Sequence, residues 1–360
     1  MPLVYHVITD KNVGGAGRVL LSLLGVPSAR GIASHVLLPR GSALCPLLFR
    51  EHIPYTELGE VRGTSLSFFS IPSFFRIFKR ARPDAIVSHA SLSARIAGRL
   101  AGVPLLLSFK HCALPIRAPR LYSAWTDATV ATSENAKRVL RACGIPEDKI
   151  LLLENGAERF APEGEEARRR ARTALGVSAG EIAVGMSARL SPVKGHATAI
   201  YALAAVKDQL PLSLWLLGDG EEKARLMQLC AQLGVSSRVH FLGYREERAD
   251  FYAAMDAHLS CSLASETASL SLAEGMSAGC VTLASAIEGN LLRVQDGGVF
   301  FPPGDASALS RLLLRLADPL FVRKARKAAQ SRASLLPSVT EMRERFEEIL
   351  LSLLKNRLHF

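Results

Sequence analysis

Short aliphatic runs alternate with longer segments of helical period along this chain, and the alternation occurs twice with one interruption between. Runs of that length, bounded by turn residues, suit strands buried on both faces, and the helical segments supply the crossovers that a parallel sheet needs. In the first half the runs lie at residues 3–8, 35–38, 85–88, 105–109, 128–131 and 150–153, with helices predicted over 14–24, 71–82, 91–101 and 133–142. Ser91 and Ser133 stand where a hydroxyl can cap a first turn, and Pro72 falls inside a first turn, where its missing N–H is tolerated.

The stretch ENGAERFAPEGEE, residues 154–166, breaks the rhythm with Asn-Gly, Pro and acidic residues, as an interdomain linker does. The rhythm then restarts, with strands at 182–187, 213–217, 239–242, 257–260 and 281–284 and helices over 196–206, 221–233, 248–255 and 270–278. A final helix over 340–358 carries apolar residues at Met342, Phe346, Ile349, Leu350, Leu353 and Leu354, a spacing that buries one face. A chain of 360 residues exceeds the roughly 250 that one core holds, so the expected architecture is α/β with two Rossmann-like parallel-sheet domains. Residues 1–157 form the first domain, 158–335 the second, and 336–360 a C-terminal helix that packs back towards the first. Two such domains are expected to face a central cleft at the carboxyl ends of their strands, where ligands of open α/β sheets bind.

Several classes are set aside by composition. No repeat or low-complexity tract occurs, apolar residues make up 49%, and no stretch approaches the ~20 apolar residues that span a bilayer. MPLVYHVITD reads as a strand rather than a signal peptide, so a cytoplasmic chain is expected. The six cysteines contain no C-x-x-C pair and read as small buried hydrophobes in a reducing compartment. Of the net charge of +11, residues 1–160 carry +9, from 20 Lys/Arg against 11 Asp/Glu. Such an excess suits nucleic acid, an anionic membrane surface, a phosphorylated substrate or plain solubility. Nucleic acid is disfavoured by the lack of a recognised module and by the few aromatics among the basic residues.

Three motifs carry chemistry. GGAGR, residues 14–18, follows the first strand and opens a helix, so Gly15 can bring backbone N–H groups to a phosphate; a plain tight turn is the alternative. A dinucleotide fingerprint fails, since it would need Gly where Leu20 stands. SARLSPVKG, residues 187–195, projects Arg189 and Lys194 from one loop, a clamp for a departing diphosphate or else a solvated basic loop. His196 beside it reads as flanking a helix start. SETASLSLAEGMSAG, residues 265–279, sets Glu266 in a loop and Glu274 one turn into a helix, with the N–H groups of Ser269, Leu270 and Ser271 between. Carboxylate, N–H groups and carboxylate match the hydroxyls, phosphates and ribose of one ligand; two solvated glutamates beside a helix start are the alternative.

ARLSPVKG, LLGDGEEKARL, VHFLGY, E-x7-E, GMSAGC and VFFPPGD resemble the C-terminal domain of glycosyltransferase family 4, of the retaining GT-B enzymes. PDAIVSHASLSARIAGRLAGVPLLLSFKH and ATSENAKRVLRACGIPEDKILLLENGAERF resemble its N-terminal domain. The resemblance spans nearly the whole chain. It implies Arg189 and Lys194 as diphosphate contacts, Glu274 as ribose ligand, Glu266 facing the transferred sugar, and Gly15 and Ser269 to Ser271 helping to hold the phosphates. It also implies His111 near the reacting carbon, with His89 as runner-up. Two departures are Thr267 and Ser269 where the family has glycines, and Leu291 and Leu292 where it has Pro-Glu. The implied reaction is metal-independent, cofactor-free transfer, with retention, from a nucleoside-diphosphate sugar to a glycan or lipid-linked acceptor in polysaccharide or lipopolysaccharide synthesis. A non-catalytic sugar-nucleotide sensor or partner subunit is the alternative. Aromatics beside a basic cluster in TSLSFFSIPSFFRIFKRARP suggest docking on an anionic membrane, against the reading that Ile71, Phe74, Phe75 and Phe78 form a core-facing stripe.

Overall fold

The computed structural model describes residues 1–59, 66–116, 118–160, 164–264, 266–267 and 269–358. It divides into two compact units, Met1–Gly156 with Val339–Phe360, and Ala157–Ser338.

The first unit is built on seven strands: β1 (Leu3–Ile8), β2 (Ala33–Pro39), β3 (Tyr55–Leu58), β4 (Ala85–His89), β5 (Leu105–Lys110), β6 (Ala128–Ala131) and β7 (Ile150–Leu152). All pairings are parallel, in the order β3-β2-β1-β4-β5-β6-β7, so successive strands are joined by crossovers. The sequence reading lacks β3. That strand lies at the sheet edge with only Leu58 buried, so no aliphatic run announces it. Ser91 and Ser133 cap as their positions predict, accepting from the N–H groups of Ala94 at 3.3 Å and Ala136 at 3.1 Å.

The helix Ile71–Ala81 buries Phe74 and Phe78, while Ile71, Phe75 and Ile77 pack partly buried against the same cluster. The core-facing stripe is therefore real, and Phe78→Ala should cost about 3–5 kcal/mol. Phe68 and Phe69, in the turn just before it, are 72% and 88% exposed. Thr64 and Ser65, at the start of that aromatic and basic stretch, lie outside the described residues.

The helix Val339–Leu358 completes the first unit. Met342, Phe346, Leu350 and Leu354 are buried, and Arg30 pairs with Glu348 at 2.9 Å and Arg357 with Asp127 at 2.8 Å. The buried stripe accounts for its attachment, since exposed ion pairs contribute about 1 kcal/mol or less.

The second unit holds β8 (Ile182–Ser187), β9 (Leu212–Leu217), β10 (Val239–Gly243), β11 (Ala257–Ser260), β12 (Val281–Ser285) and β13 (Val299–Phe301), in the parallel order β10-β9-β8-β11-β12-β13. β13 and the helices Glu288–Val294, Ala306–Leu314 and Pro319–Ser334 extend the pattern beyond the sequence reading. So does the helix Glu165–Leu175, which begins inside the expected linker; residues 161–163 of that linker lie outside the described residues. It buries only Ala171 and so shows no apolar stripe. Its attachment is polar: Arg168 donates to the carbonyls of Ala253 and Met255, and Arg168 and Arg172 pair with Asp256 at 2.7 and 3.1 Å. The cysteines are free, with Cys230, Cys261 and Cys280 buried and Cys45, Cys112 and Cys143 partly so. Among the described residues no helix is long and apolar enough to cross a membrane.

Candidate functional site

Strand order reverses direction at β1/β4 in one sheet and at β8/β11 in the other, the points where open α/β sheets leave a crevice at the carboxyl ends of their strands. Gly15 follows β1, Arg189 and Lys194 follow β8, and Glu266 follows β11; His111 follows β5, next to β4.

In the second unit, the loop from Ser187 to Gly195 is held on two sides by backbone. Leu190 N–H donates to the Asp219 carbonyl at 3.0 Å, and Leu263 N–H donates to the Val193 carbonyl at 2.8 Å. Gly195 sits at φ +67°, and a Cβ there would meet the Cys261 carbonyl oxygen at 2.1 Å, so both conformation and space demand glycine. This crossing brings Lys194 to Glu266. The ammonium donates to both carboxylate oxygens, at 3.0 Å to Oε2 and closer to Oε1. The helix Glu288–Val294 packs against the Glu266 backbone, where a Cβ on Gly289 would lie 1.9 Å from the Glu266 carbonyl oxygen. Arg189 is exposed.

Ser269 caps the helix Leu270–Ser277, accepting from Leu272 N–H at 3.4 Å and lying 3.2 Å from the Ser271 hydroxyl. The N–H groups of Leu270 and Ser271 belong to the first turn, where no intrahelical acceptor exists. Ser265 and Ala268 of this motif lie outside the described residues. Glu274 is placed differently from Glu266. Its side chain has no exposed surface, Tyr252 donates to its Oε2 at 2.7 Å, and Arg248 Nη2 stands 3.5 Å from Oε1 and 2.9 Å from Glu158. The spacing of the two glutamates thus yields one carboxylate paired with a lysine and one sunk beside a tyrosine and an arginine. Nothing in the sequence marked Tyr252 or Arg248, which reach Glu274 from the helix Ala249–Ala254 and its N-cap.

His196 is buried at a helix start, with neither ring nitrogen hydrogen-bonded among the described residues. Burial and then the Lys194 charge push its pKa down to about 4.

In the first unit Gly15 opens the helix Gly15–Leu24, and a Cβ on it would meet nothing within 4 Å. No packing among the described residues therefore requires glycine there. His111 is partly buried, and its Nε2 lies 2.8 Å from Nδ1 of His89, the last residue of β4. Burial pushes the His111 pKa down to about 4 and holds His89 well below the usual imidazole range. His6, on β1, stands behind His89 at 3.5 Å; the sequence reading missed it because only strand register brings it there.

Two doubly wound parallel sheets, each presenting its candidate residues after the strands where its order reverses, define the GT-B class of glycosyltransferase. Two family descriptions match: "Glycosyl transferases group 1" over residues 167–332 and "Glycosyltransferase Family 4" over residues 13–159. The chain belongs to glycosyltransferase family 4 and is a nucleotide-sugar-dependent glycosyltransferase. It is 27% identical over 306 residues to the lipopolysaccharide core biosynthesis glycosyltransferase LpsE of Rhizobium meliloti, covering 83% of this chain and 84% of that one. With an Escherichia coli UDP-Gal:alpha-D-GlcNAc-diphosphoundecaprenol alpha-1,3-galactosyltransferase it shares 25% identity over 69% of this chain and 70% of the other. The fold matches that of Anabaena HepE in complex with UDP and glucose, with TM-score 0.85 at 23% identity over 97% and 99% of the two chains.

Proposed function

We propose that this protein moves a sugar from a uridine-diphosphate sugar to a glycan or lipid-linked acceptor of the cell envelope, with retention of configuration and without a metal. The observation that carries the reading is the Lys194–Glu266 pair beside the capped start of the helix Leu270–Ser277. Fixed cations and first-turn N–H groups stabilise a diphosphate as it leaves, and a carboxylate beside them can take the hydroxyls of the transferred sugar. The uridine nucleotide and the envelope acceptor are supported by the two relatives and the HepE complex named above.

In this reading Arg189 and Lys194 neutralise the departing diphosphate, and Ser269, Leu270 and Ser271 offer it backbone donors. Glu266 faces the sugar, Gly15 gives the phosphates a close approach, and His111 serves the reacting carbon. Glu274 serves the ribose, which requires that a ribose hydroxyl take over one of the bonds now made by Tyr252 or Arg248. The experiment is a panel of nucleotide sugars scored by calorimetry and by release of the nucleoside diphosphate. Binding and consumption of a uridine-diphosphate sugar is expected, undiminished by excess chelator. Binding without turnover under every acceptor tried would mark a sensor instead, and restoration by Mg²⁺ after chelation would end the metal-free mechanism.

The lipid-linked acceptor implies a membrane surface. Phe68 and Phe69 are exposed, as are Arg76, Lys79, Arg80 and Arg82 on the following helix, and each basic residue near an anionic surface adds about 1 kcal/mol of attraction. Flotation with anionic vesicles should recover the protein, and Phe68→Ser with Phe69→Ser should release it. Equal recovery with neutral vesicles would refute electrostatic docking.

A further inference from the structure

One guanidinium in the second unit stands between two carboxylates. Arg248 Nη2 lies 2.9 Å from Glu158 and 3.5 Å from Glu274 Oε1, while Nη1 donates to the Glu246 carbonyl at 3.1 Å. The two carboxylates are unlike. Glu158 is half exposed, whereas Glu274 has no exposed surface and Arg248 very little. At 3.5 Å Arg248 lends Glu274 its charge without a well-formed hydrogen bond, and gives that bond to Glu158. Tyr252 donates to the other oxygen of Glu274, Oε2, at 2.7 Å.

Both of these neighbours of Glu274 lean on the same short segment. Glu158 draws Arg248, and two residues on Phe160 stacks on Tyr252 with ring centroids 5.2 Å apart. The segment is itself anchored. Ala157 N–H donates to the Pro337 carbonyl at 3.1 Å, and Phe160 N–H donates at 3.0 Å to Ser277 Oγ, which donates to the Glu274 carbonyl at 2.8 Å. A stretch that reads as linker in sequence thus buttresses Glu274.

A ribose hydroxyl reaches this carboxylate by taking over a contact of Tyr252 or of Arg248, and the geometry ranks the two. Displacing Tyr252 breaks a 2.7 Å hydrogen bond to a carboxylate. Displacing Arg248 breaks only the 3.5 Å contact, and the guanidinium already has Glu158 to hold it. A buried cation that keeps one partner while losing another avoids the penalty of standing unpaired.

We infer that Glu158 is a positioning residue of the donor site, which receives Arg248 when a ribose hydroxyl takes the Oε1 side of Glu274. This rests on the reading of Glu274 as the ribose ligand. Without the Glu158 charge, Arg248 closes on Glu274, and the hydroxyl must compete with a charge-assisted hydrogen bond. The sign is opposite to that of simple attraction, by which removing a negative charge near the site strengthens binding of an anionic nucleotide.

Calorimetry of the whole protein with uridine diphosphate and its 2′-deoxy and 3′-deoxy analogues tests this. The wild type should bind uridine diphosphate about tenfold more tightly than the analogue lacking the hydroxyl that meets Glu274. In Glu158→Gln uridine diphosphate should bind about fivefold more weakly and that analogue nearly as before, so the preference shrinks to about twofold. Donor KM should rise with kcat nearly unchanged, and the thermal midpoint should hardly move, since a half-exposed pair adds little stability. Tighter binding of uridine diphosphate by Glu158→Gln, or an equal loss for all three ligands, overturns the inference. So does a hydroxyl preference that survives intact in Glu158→Gln. A wild type that prefers neither hydroxyl ends the ribose reading of Glu274 itself, so the two failures are distinguishable.

Discussion

The two units hold their candidate groups in opposite electrical states. In the first, His6, His89 and His111 are kept neutral by burial and by aromatic neighbours. In the second, the groups are charged and already matched: Lys194 to Glu266, Arg248 to Glu274 and Glu158, and Arg168, Arg172 and Arg326 to Asp256. A neutral histidine file carries no charge that a ligand must first displace. Matched charges must be unmatched before a ligand can use them, so a diphosphate at Lys194 has to compete with Glu266. That competition favours ligands bringing more than one negative charge, and hydroxyls that satisfy the released carboxylate.

The largest test of this contrast is to remove the cations of the second unit. Arg189→Ala with Lys194→Ala should lower kcat about a thousandfold while the thermal midpoint moves little. A loss under tenfold would mean that charge neutralisation is not what this unit contributes. Next is Glu274→Gln, which takes a buried charge away from Arg248 and should cost about 3 kcal/mol in chemical denaturation. If Glu274 also serves the ribose, calorimetry should show uridine diphosphate bound about tenfold more weakly. Unchanged affinity in the folded variant would leave Glu274 a purely structural partner of Tyr252 and Arg248.

Acid should act on both units through different rings. Burial pushes the pKa of His6 and of His258 down to about 3, so the unfolded chain takes up a proton near pH 6.5 while the folded chain does not. Stability is thus full above about pH 6.5 and falls below it, by about 2 kcal/mol per ring at pH 5. Neither nitrogen of His258 has a hydrogen-bond partner among the described residues, so His258→Leu should flatten the acid slope of the second unit in urea titrations at pH 5 and 7. An unchanged slope would show that the ring is protonated in the fold. The smallest effect is expected at Gly15. Gly15→Ala places a methyl in open space and removes backbone freedom, so stability should hold or rise by about 0.5 kcal/mol. If the loop cradles phosphate, kcat/KM should fall about tenfold; full activity would leave Gly15 a plain turn residue.

Eleven of the thirteen strands among the described residues were legible as aliphatic runs, because buried parallel strands must be apolar on both faces. β3 and β13 were not, being edge strands of four and three residues with one buried residue each. Most helices fastened by an apolar stripe were legible too, although Ala306–Leu314, with Leu309 and Leu313 in the core, was passed over. Glu165–Leu175 was not, since Arg168 and Arg172 hold it through bonds to carbonyls and Asp256 rather than through a stripe. The same division runs through the candidate site. Lys194 and Glu266 could be named from loops after strands, whereas the partners that hold Glu274 and His111 come from register and helix packing that no local pattern encodes. His89 was marked as a runner-up to His111, and the two rings turn out to be bonded to each other.

The first unit is discontinuous in sequence, since Val339–Leu358 completes a body begun at Met1. Proteins emerge from the ribosome in order, and most domains close as soon as they are made. Here the order is inverted, because the whole of Ala157–Ser338 is synthesised before Met342, Phe346, Leu350 and Leu354 can reach their places. The unit that starts first is finished last, and until then the cover that Phe346 gives to His6 and Phe109 is missing. A nascent chain stalled before Val339 should therefore show a protease-sensitive first unit beside a resistant second one.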